Sequence, residues 1–247
     1  MKMTLSSATA LVALSASAFA ADLPSRAAPT AAPVPVFTWT GFYAGGSIGG
    51  VNLRSKYDEL TGYGTSGGFP LTRGKGNGIL ASVDAGYNYQ VGNIVFGLEG
   101  DIGLSTARAN GSLVNRFPTY IETNYLHARL SALATLRGRV GFAYDRVLVY
   151  ATGGLAVAKL RLEGDHEAPV SIDPNVTNGI AAVNGWRAGW VVGGGAEYAL
   201  TSKVSFRVEG LHLGLAGETT GRAGNGCRFA FKKSGTTVVR TGLNYKF

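Results

Sequence analysis

Apolar and polar residues alternate along much of the chain, and the cleanest example is the C-terminal stretch from Thr236. Val239, Thr241, Leu243, Tyr245 and Phe247 share one face, while Val238, Arg240, Gly242, Asn244 and Lys246 share the other. A period of two with one apolar face is a β-strand. Its last residue is an aromatic. A soluble sheet seldom leaves a Phe carboxy-terminus at its rim, whereas a barrel in lipid turns its apolar face outward and ends its closing strand at the membrane interface.

Seven further strands follow the same rule. The first covers about Phe42–Leu53, with Phe42, Ala44, Gly46 and Ile48 set against Tyr43, Gly45, Ser47 and Gly49. The second, Ile79–Gln90, sets Ile79, Ala81, Val83, Ala85, Tyr87 and Tyr89 against Asp84 and its neighbours. The third sets Ile94, Phe96, Leu98, Ile102 and Leu104 against Glu99 and Asp101. The fourth ends in Leu136–Phe142, where Leu136, Gly138, Val140 and Phe142 stand apart from Arg137 and Arg139. The fifth, Val147–Leu162, is the least regular, and a bulge is expected near Gly153-Gly154. The sixth sets Trp186, Ala188, Trp190, Val192, Ala196 and Tyr198 against Arg187 and Glu197. The seventh sets Val204, Phe206 and Val208 against Arg207 and Glu209.

Between the strands, long Gly-rich or charged connections (51–76, about 106–123, 163–185 and 214–235) alternate with short turns at 91–93, 144–146 and 200–203. That is the order of an eight-stranded antiparallel up-and-down transmembrane β-barrel. On the short-turn side, the apolar faces offer Phe42, Tyr87 or Tyr89, Phe96, Phe142, Tyr150, Tyr198, Phe206, Tyr245 and Phe247, an aromatic girdle at headgroup height. Trp186 and Trp190 suit the opposite belt. The competing fold is a soluble two-sheet sandwich, in which these aromatics would be enclosed and the charges wet. Leader, loop asymmetry and girdle together favour the membrane barrel.

The polar faces then line the lumen with Asp84, Glu99, Asp101, Arg137, Arg139, Arg187, Glu197, Arg207, Glu209 and Arg240. Eight strands enclose a space that side chains can fill, so these charges must pair or meet water. Counting from the girdle sets Glu99 level with Arg139 and Asp101 level with Arg137, so the acids of the third strand are expected to pair with this Arg-Gly-Arg segment, allowing for strand stagger. The lattice serves either as a structural plug or as a gated ion path.

Composition adds the export route. Met1–Ala20 has a basic start at Lys2, a short apolar core and Ala18-Phe19-Ala20, so a leader cleaved near Ala20-Ala21 is expected. Residues 21–38 hold four of the eight prolines among alanines and form an extended periplasmic linker, with peptidoglycan a candidate contact. Residues 39–247 are the barrel. No apolar run after the leader is long enough for a membrane helix. The formal charge of +8 suits an anionic membrane surface, and the basic residues form no stacking platform for nucleic acid. Arg222, Arg228, Lys232 and Lys233 in the fourth loop are candidates for lipopolysaccharide phosphates. The single cysteine, Cys227, cannot form an internal disulfide.

Catalytic patterns are weak. Gly45-Gly46-Ser47-Ile48-Gly49 fits G-x-S-x-G, but a nucleophile elbow needs a strand-to-helix turn and Ser47 lies mid-strand. His127, His166 and His212 are scattered. His166, between Asp165 and Glu167, is a candidate contact for metal or haem, and a solvated loop histidine is the plainer reading. No Cys/His spacing for zinc is present. The chain is therefore read as non-enzymatic and without a cofactor.

Five segments in order, W-T-G-F-Y-A-G-G from Trp39, N-I-V-F-G-L-E-G-D from Asn93, L-R-G-R-V-G from Leu136, Y-A-T-G-G-L-A from Tyr150 and G-L-N-Y-K-F from Gly242, carry a family resemblance. The chain resembles the small outer-membrane β-barrel proteins of alphaproteobacteria, the surface-antigen, hemin-binding and opacity-type group related to the OmpA membrane anchor. The resemblance implies an outer-membrane location and insertion by the outer-membrane assembly machinery acting on the Phe247-ended strand. It implies an envelope-stabilising, surface-exposed protein; a narrow porin or a hemin-binding surface protein is the alternative, and a lipid-modifying enzyme a third reading.

Overall fold

The computed structural model describes residues 37–61, 72–116, 120–171, 179–215, 219–222, 228–231 and 234–247. The expected leader, the linker up to residue 36 and Cys227 lie outside them. The described residues form one antiparallel sheet: β1 (Gly41–Thr61), β2 (Thr72–Val91), β3 (Ile94–Ser105), β4 (Arg108–Arg116), β5 (Tyr120–Tyr144), β6 (Val147–Ser171), β7 (Gly179–Ala199), β8 (Val204–Leu215), β9 (Thr219–Arg222), β10 (Arg228–Phe231) and β11 (Ser234–Lys246).

The ladder runs β1–β2–β3–β5–β6–β7–β8–β11, and β11 returns to pair with β1 from Tyr43↔Lys246 to Arg54↔Gly235, so the sheet closes on itself. β4 carries on the path of β3 after a break at Thr106-Ala107. The ladder bridges that break: the Thr106 amide donates to the Ile79 carbonyl (2.9 Å) and the Leu130 amide donates to the Ala107 carbonyl (3.0 Å). β9 and β10 pair with each other, and β10 pairs with β1. The described ring therefore has eight strand positions, and closure pairs the first with the last, so that neither is left as an open edge through the barrel; β9, paired among the described residues only with β10, is an edge above it.

Two of the short turns require a residue at positive φ, Gly92 at +59° and Asp145 at +49°. Gly meets this freely, and Asp is among the residues that tolerate it. At the same end the Phe247 amide donates to the Phe42 carbonyl (3.0 Å), and Lys246 donates to the Thr38 carbonyl, which fastens the C-terminus beside the start of β1.

The expected long loops are shorter than the sequence pattern indicated. β1 runs to Thr61 and β2 starts at Thr72; β4 and the start of β5 fill most of the second connection; β6 runs to Ser171 and β7 starts at Gly179. The reason is a change of surroundings. Above the lipid-facing band the outward positions become Asn52, Arg54, Lys56, Arg73, Lys75, Arg108, Arg129 and Arg161, so a search for an apolar outer face stops there while backbone pairing continues.

The bulge is also displaced. β6 passes Gly153 and Gly154 without a register shift, and the two shifts of the β5–β6 ladder fall between Ile121 and Thr123 and between Leu130 and Ala132 of β5. β6 looked irregular because its inward positions turn apolar at Ala156, Ala158, Leu160 and Leu162, all buried, while Lys159 and Arg161 face out.

Candidate functional site

The barrel interior has three layers. Nearest the short turns, Trp39, Val95, Ala143, Leu148, Tyr150 and Ala199 form a buried cluster, with Phe37 packed against it. The Trp39 amide donates to Gln90 Oε1 (2.8 Å), and the Gln90 amide donates to Thr40 Oγ1 (2.9 Å), so the segment entering β1 is tied down there. On the far side, toward the long loops, lies a larger apolar layer that includes Val51, Leu53, Leu80, Leu126, Leu130, Leu133, Val191, Leu211, Leu213 and Val238.

Between them lies the charge lattice. It contains Asp84, Glu99, Asp101, Glu197 and Glu209 with Arg137, Arg139, Arg207 and Arg240, all buried. Successive residues of a strand point to opposite faces, so every second residue of β2, β3, β5, β7, β8 and β11 delivers one of these groups inward.

Glu99 is the hub. It accepts from Arg207 Nη1 (2.6 Å), from the Tyr43 hydroxyl (2.7 Å) and from Arg137, and Arg139 Nη1 lies 3.6 Å away. Arg137 also donates to Asp101 Oδ2 (3.1 Å) and Glu209 Oε1 (2.8 Å). Arg240 reaches Glu209 Oε2 (2.7 Å) and Asp101 Oδ1 (3.3 Å), and Arg207 Nη2 donates to Asp84 Oδ1 (2.7 Å). Arg139 pairs with Glu197 at 3.4 Å, donates through Nε to Asn88 Oδ1 (2.8 Å), and lies between two rings, its guanidinium carbon 4.6 Å from the Tyr43 centroid and 5.3 Å from that of Tyr150. Charges taken out of water in this way need several good partners each; Glu99, Asp101, Glu209, Arg137 and Arg240 have them, whereas Asp84 Oδ2, Arg139 Nη2 and Arg207 Nε are buried without a hydrogen bond among the described residues.

The register differs from the depth count by one pair. Glu99 stands directly across from Arg137, and Arg139 stands across from Gly97, because β3 and β5 are staggered by two residues relative to the girdle count. Arg187 is not part of the lattice. It lies on the inward side of β7, half-buried, ten residues along the strand from Glu197 and on the far side of the apolar layer; among the described residues it has no ion pair. The count overlooked that the inner face of β7 passes Val191 before it reaches Arg187.

Tyr150 is a second correction. It was expected in the outward girdle, but it is buried, and its hydroxyl donates to Glu209 Oε1 (3.0 Å). It shares the inward face with Leu148 and Thr152, and the outward residues there are Val149 and Ala151. The other expected girdle residues, Phe42, Tyr87, Phe96, Phe142, Tyr198, Phe206, Tyr245 and Phe247, face out, as do Trp186 and Trp190.

Tyr43, Asn88, Ser47 and Ser82 are interior partners that pattern reading passed over. Tyr43 carried the one available signal, an aromatic on the polar face of its strand. Ser47 Oγ lies 2.7 Å from Ser82 Oγ inside the barrel, which leaves the G-x-S-x-G match without an elbow. His127 Nδ1 lies 3.0 Å from Asn110 Oδ1 and His212 Nδ1 lies 3.1 Å from Thr237 Oγ1, both on the outer surface. The side chains of His166 and of the basic fourth-loop residues lie outside the described set. Among the described residues no group of His, Cys, Asp and Glu could hold a metal ion.

A closed ring with greasy residues outside and paired charges within matches what comparison with known proteins finds. The family model described as outer membrane protein beta-barrel domain matches residues 6–247. The chain belongs to that family. This outer-membrane barrel is 34% identical to the 31 kDa outer-membrane immunogenic protein of Brucella melitensis, with 98% of each chain covered. It is 30% identical to the 25 kDa outer-membrane immunogenic protein of Brucella canis, over 96% of this chain and 94% of that one. It is 29% identical to a 22 kDa outer membrane protein of Rhizobium leguminosarum, over 72% and 65%. Among solved structures it is similar to Neisserial surface protein A (TM-score 0.40, 14% identity, 84% of this chain and 98% of that chain). The protein is an outer-membrane β-barrel, and its exposed Phe96, Leu98, Ile102, Leu104 and Leu155 are the lipid-facing surface of that barrel.

Proposed function

We propose that this barrel is a non-enzymatic, surface-exposed structural protein of the outer membrane whose interior is a plug. One observation carries the reading: on the long-loop side the charge lattice is closed by a layer of buried leucines and valines, so no continuous row of polar inward-facing side chains runs from rim to rim among the described residues, although Asn88, Ser205 and Asn244 lead from Glu197 toward the short-turn rim. An ion crossing it would have to shed its hydration between Leu133, Val191 and Leu211, where nothing polar replaces the lost water. The relatives' description as immunogenic supports exposure at the cell surface. In this reading residues 1–20 are a cleaved leader, residues 21–38 a periplasmic linker, and the Phe247-ended strand the signal for the assembly machinery.

Planar-bilayer recording of the purified, refolded barrel tests the plug. The expected record is silent at high salt. Regular conductance steps that change with Arg137→Gln would refute it. The envelope role predicts that cells lacking the protein become more sensitive to detergents and recover on complementation.

A further inference from the structure

Above the lipid-facing band on the long-loop side, the outer surface of β1, β2, β4, β5 and β6 carries nine exposed cations among the described residues: Arg54, Lys56, Arg73, Lys75, Arg108, Arg116, Arg129, Lys159 and Arg161. Only two acids with described side chains, Glu163 and Asp165, share that surface. At its centre Arg108 of β4 stands directly across from Arg129 of β5, and Arg129 directly across from Arg161 of β6. Like charges in directly opposed positions, with Cβ atoms about 5 Å apart, destabilise a sheet. Only Arg161 is relieved, by donating to Glu163 Oε1 (2.6 Å); among the described residues Arg108 and Arg129 have no ion pair.

The three arginines line an open depression of about 420 Å³ together with Asn110, His127 and Glu163. Toward the membrane, past Asn77, Thr106 and Lys159, the outward positions become Ile79, Leu104, Leu155 and Val157, all exposed and apolar. A row of guanidinium groups two outward positions above a hydrocarbon-facing surface, with Lys159 between, suits an amphiphile with phosphates on its headgroup. Guanidinium binds phosphate through paired, charge-assisted hydrogen bonds, and an anion bridging the row would cancel the repulsion.

We propose that Arg108, Arg129 and Arg161 form a binding site for the phosphates of an outer-leaflet glycolipid, whose acyl chains lie along the apolar surface beneath. The site is on the barrel's outer wall, so it stands or falls apart from whether the lumen conducts.

The test uses full-length barrel in neutral detergent, with folding checked by heat-modifiable gel mobility. The probe is bisphosphorylated lipid A in mixed micelles. Wild type is expected to bind it, and the triple variant Arg108→Gln/Arg129→Gln/Arg161→Gln to bind it roughly a hundredfold more weakly. Lys203→Gln/Lys246→Gln, which removes charge at the opposite rim, should bind as wild type does. If the triple variant fails to fold, Arg129→Gln alone decides: it should be at least as stable as wild type without lipid and gain less stability than wild type when lipid A is added. Equal binding by wild type and the triple or single variant overturns the proposal. So does equal binding of fully dephosphorylated lipid A, which would reduce the surface to a greasy contact. Displacement of lipid A by millimolar inorganic phosphate would assign the arginines to a free anion and overturn it as well.

Discussion

Replacing Arg137 by Met tests the interior most sharply. Arg137 contacts three carboxylates, Glu99, Asp101 at 3.1 Å and Glu209 at 2.8 Å, and its side chain is 1% exposed. Methionine fills much of the same space without the charge. The lattice of four arginines and five carboxylates becomes one of three and five, and every remaining member is buried from bulk solvent. Removing one member of a buried ion-pair network costs about 3–5 kcal/mol, mostly through the charges left behind. For a chain of this length that lowers the unfolding midpoint by roughly 6–20 °C. The assay is heat-modifiable gel mobility, with denaturant unfolding from vesicles giving the free energy. A second substitution separates lost charge balance from lost packing. Arg137→Met/Glu99→Gln leaves three arginines and four carboxylates, restoring the original excess of one acid, and it should recover about 1–3 kcal/mol of coupling. Two results would refute the reasoning: a loss below about 1 kcal/mol for the single change, or a double variant whose loss equals the sum of the two singles.

Two adjacent glycines should behave in opposite ways. A Cβ on Gly49 would lie 2.1 Å from the Val239 carbonyl oxygen and 2.5 Å from Arg240 Cα, whereas one on Gly50 would meet nothing within 4 Å. Gly49→Ala is expected to cost about 1–3 kcal/mol by overpacking and Gly50→Ala to change stability by no more than about 0.5 kcal/mol, both measured by the same unfolding; equal effects would show that β1 does not press on β11 as described. Leu98→Lys places a charge on the lipid-facing wall of β3 and should cost about 2–4 kcal/mol in vesicles, and an unchanged midpoint there would mean that this wall does not face hydrocarbon.

The period-two pattern was enough to find the ring. β2, β3 and β11 alternate so regularly that their outward faces, and hence the barrel, are legible residue by residue. The inward charges followed from the same parity, and so did the meeting of Glu99 and Asp101 with the Arg137–Arg139 segment. Parity failed where the surroundings changed along one strand. In β6 the inner face passes from Tyr150 and Thr152 to Ala156, Leu160 and Leu162 as the outer face passes from Val157 to Lys159 and Arg161. The strand never breaks, but the side on which its apolar residues lie reverses. Tyr150 and the position of the bulge were misread in that strand, and Arg187 because the inner face of β7 passes the apolar layer at Val191 before it reaches Arg187.

Local alternation is written in the chain because a strand must put neighbouring side chains on opposite faces whatever surrounds it. Which face is greasy depends on what that face touches. In the lower barrel the outer face meets lipid and the inner face meets four arginines. Higher up, the outer face meets the headgroup region and the inner face meets only its own leucines. The stagger that sets Glu99 across from Arg137, the apolar layer that closes the charge lattice on the long-loop side, and the row that Arg108, Arg129 and Arg161 form across three strands are properties of the closed ring. They join residues far apart in sequence, such as the directly paired Val51 and Val238, and arise only once eight strands share one circumference.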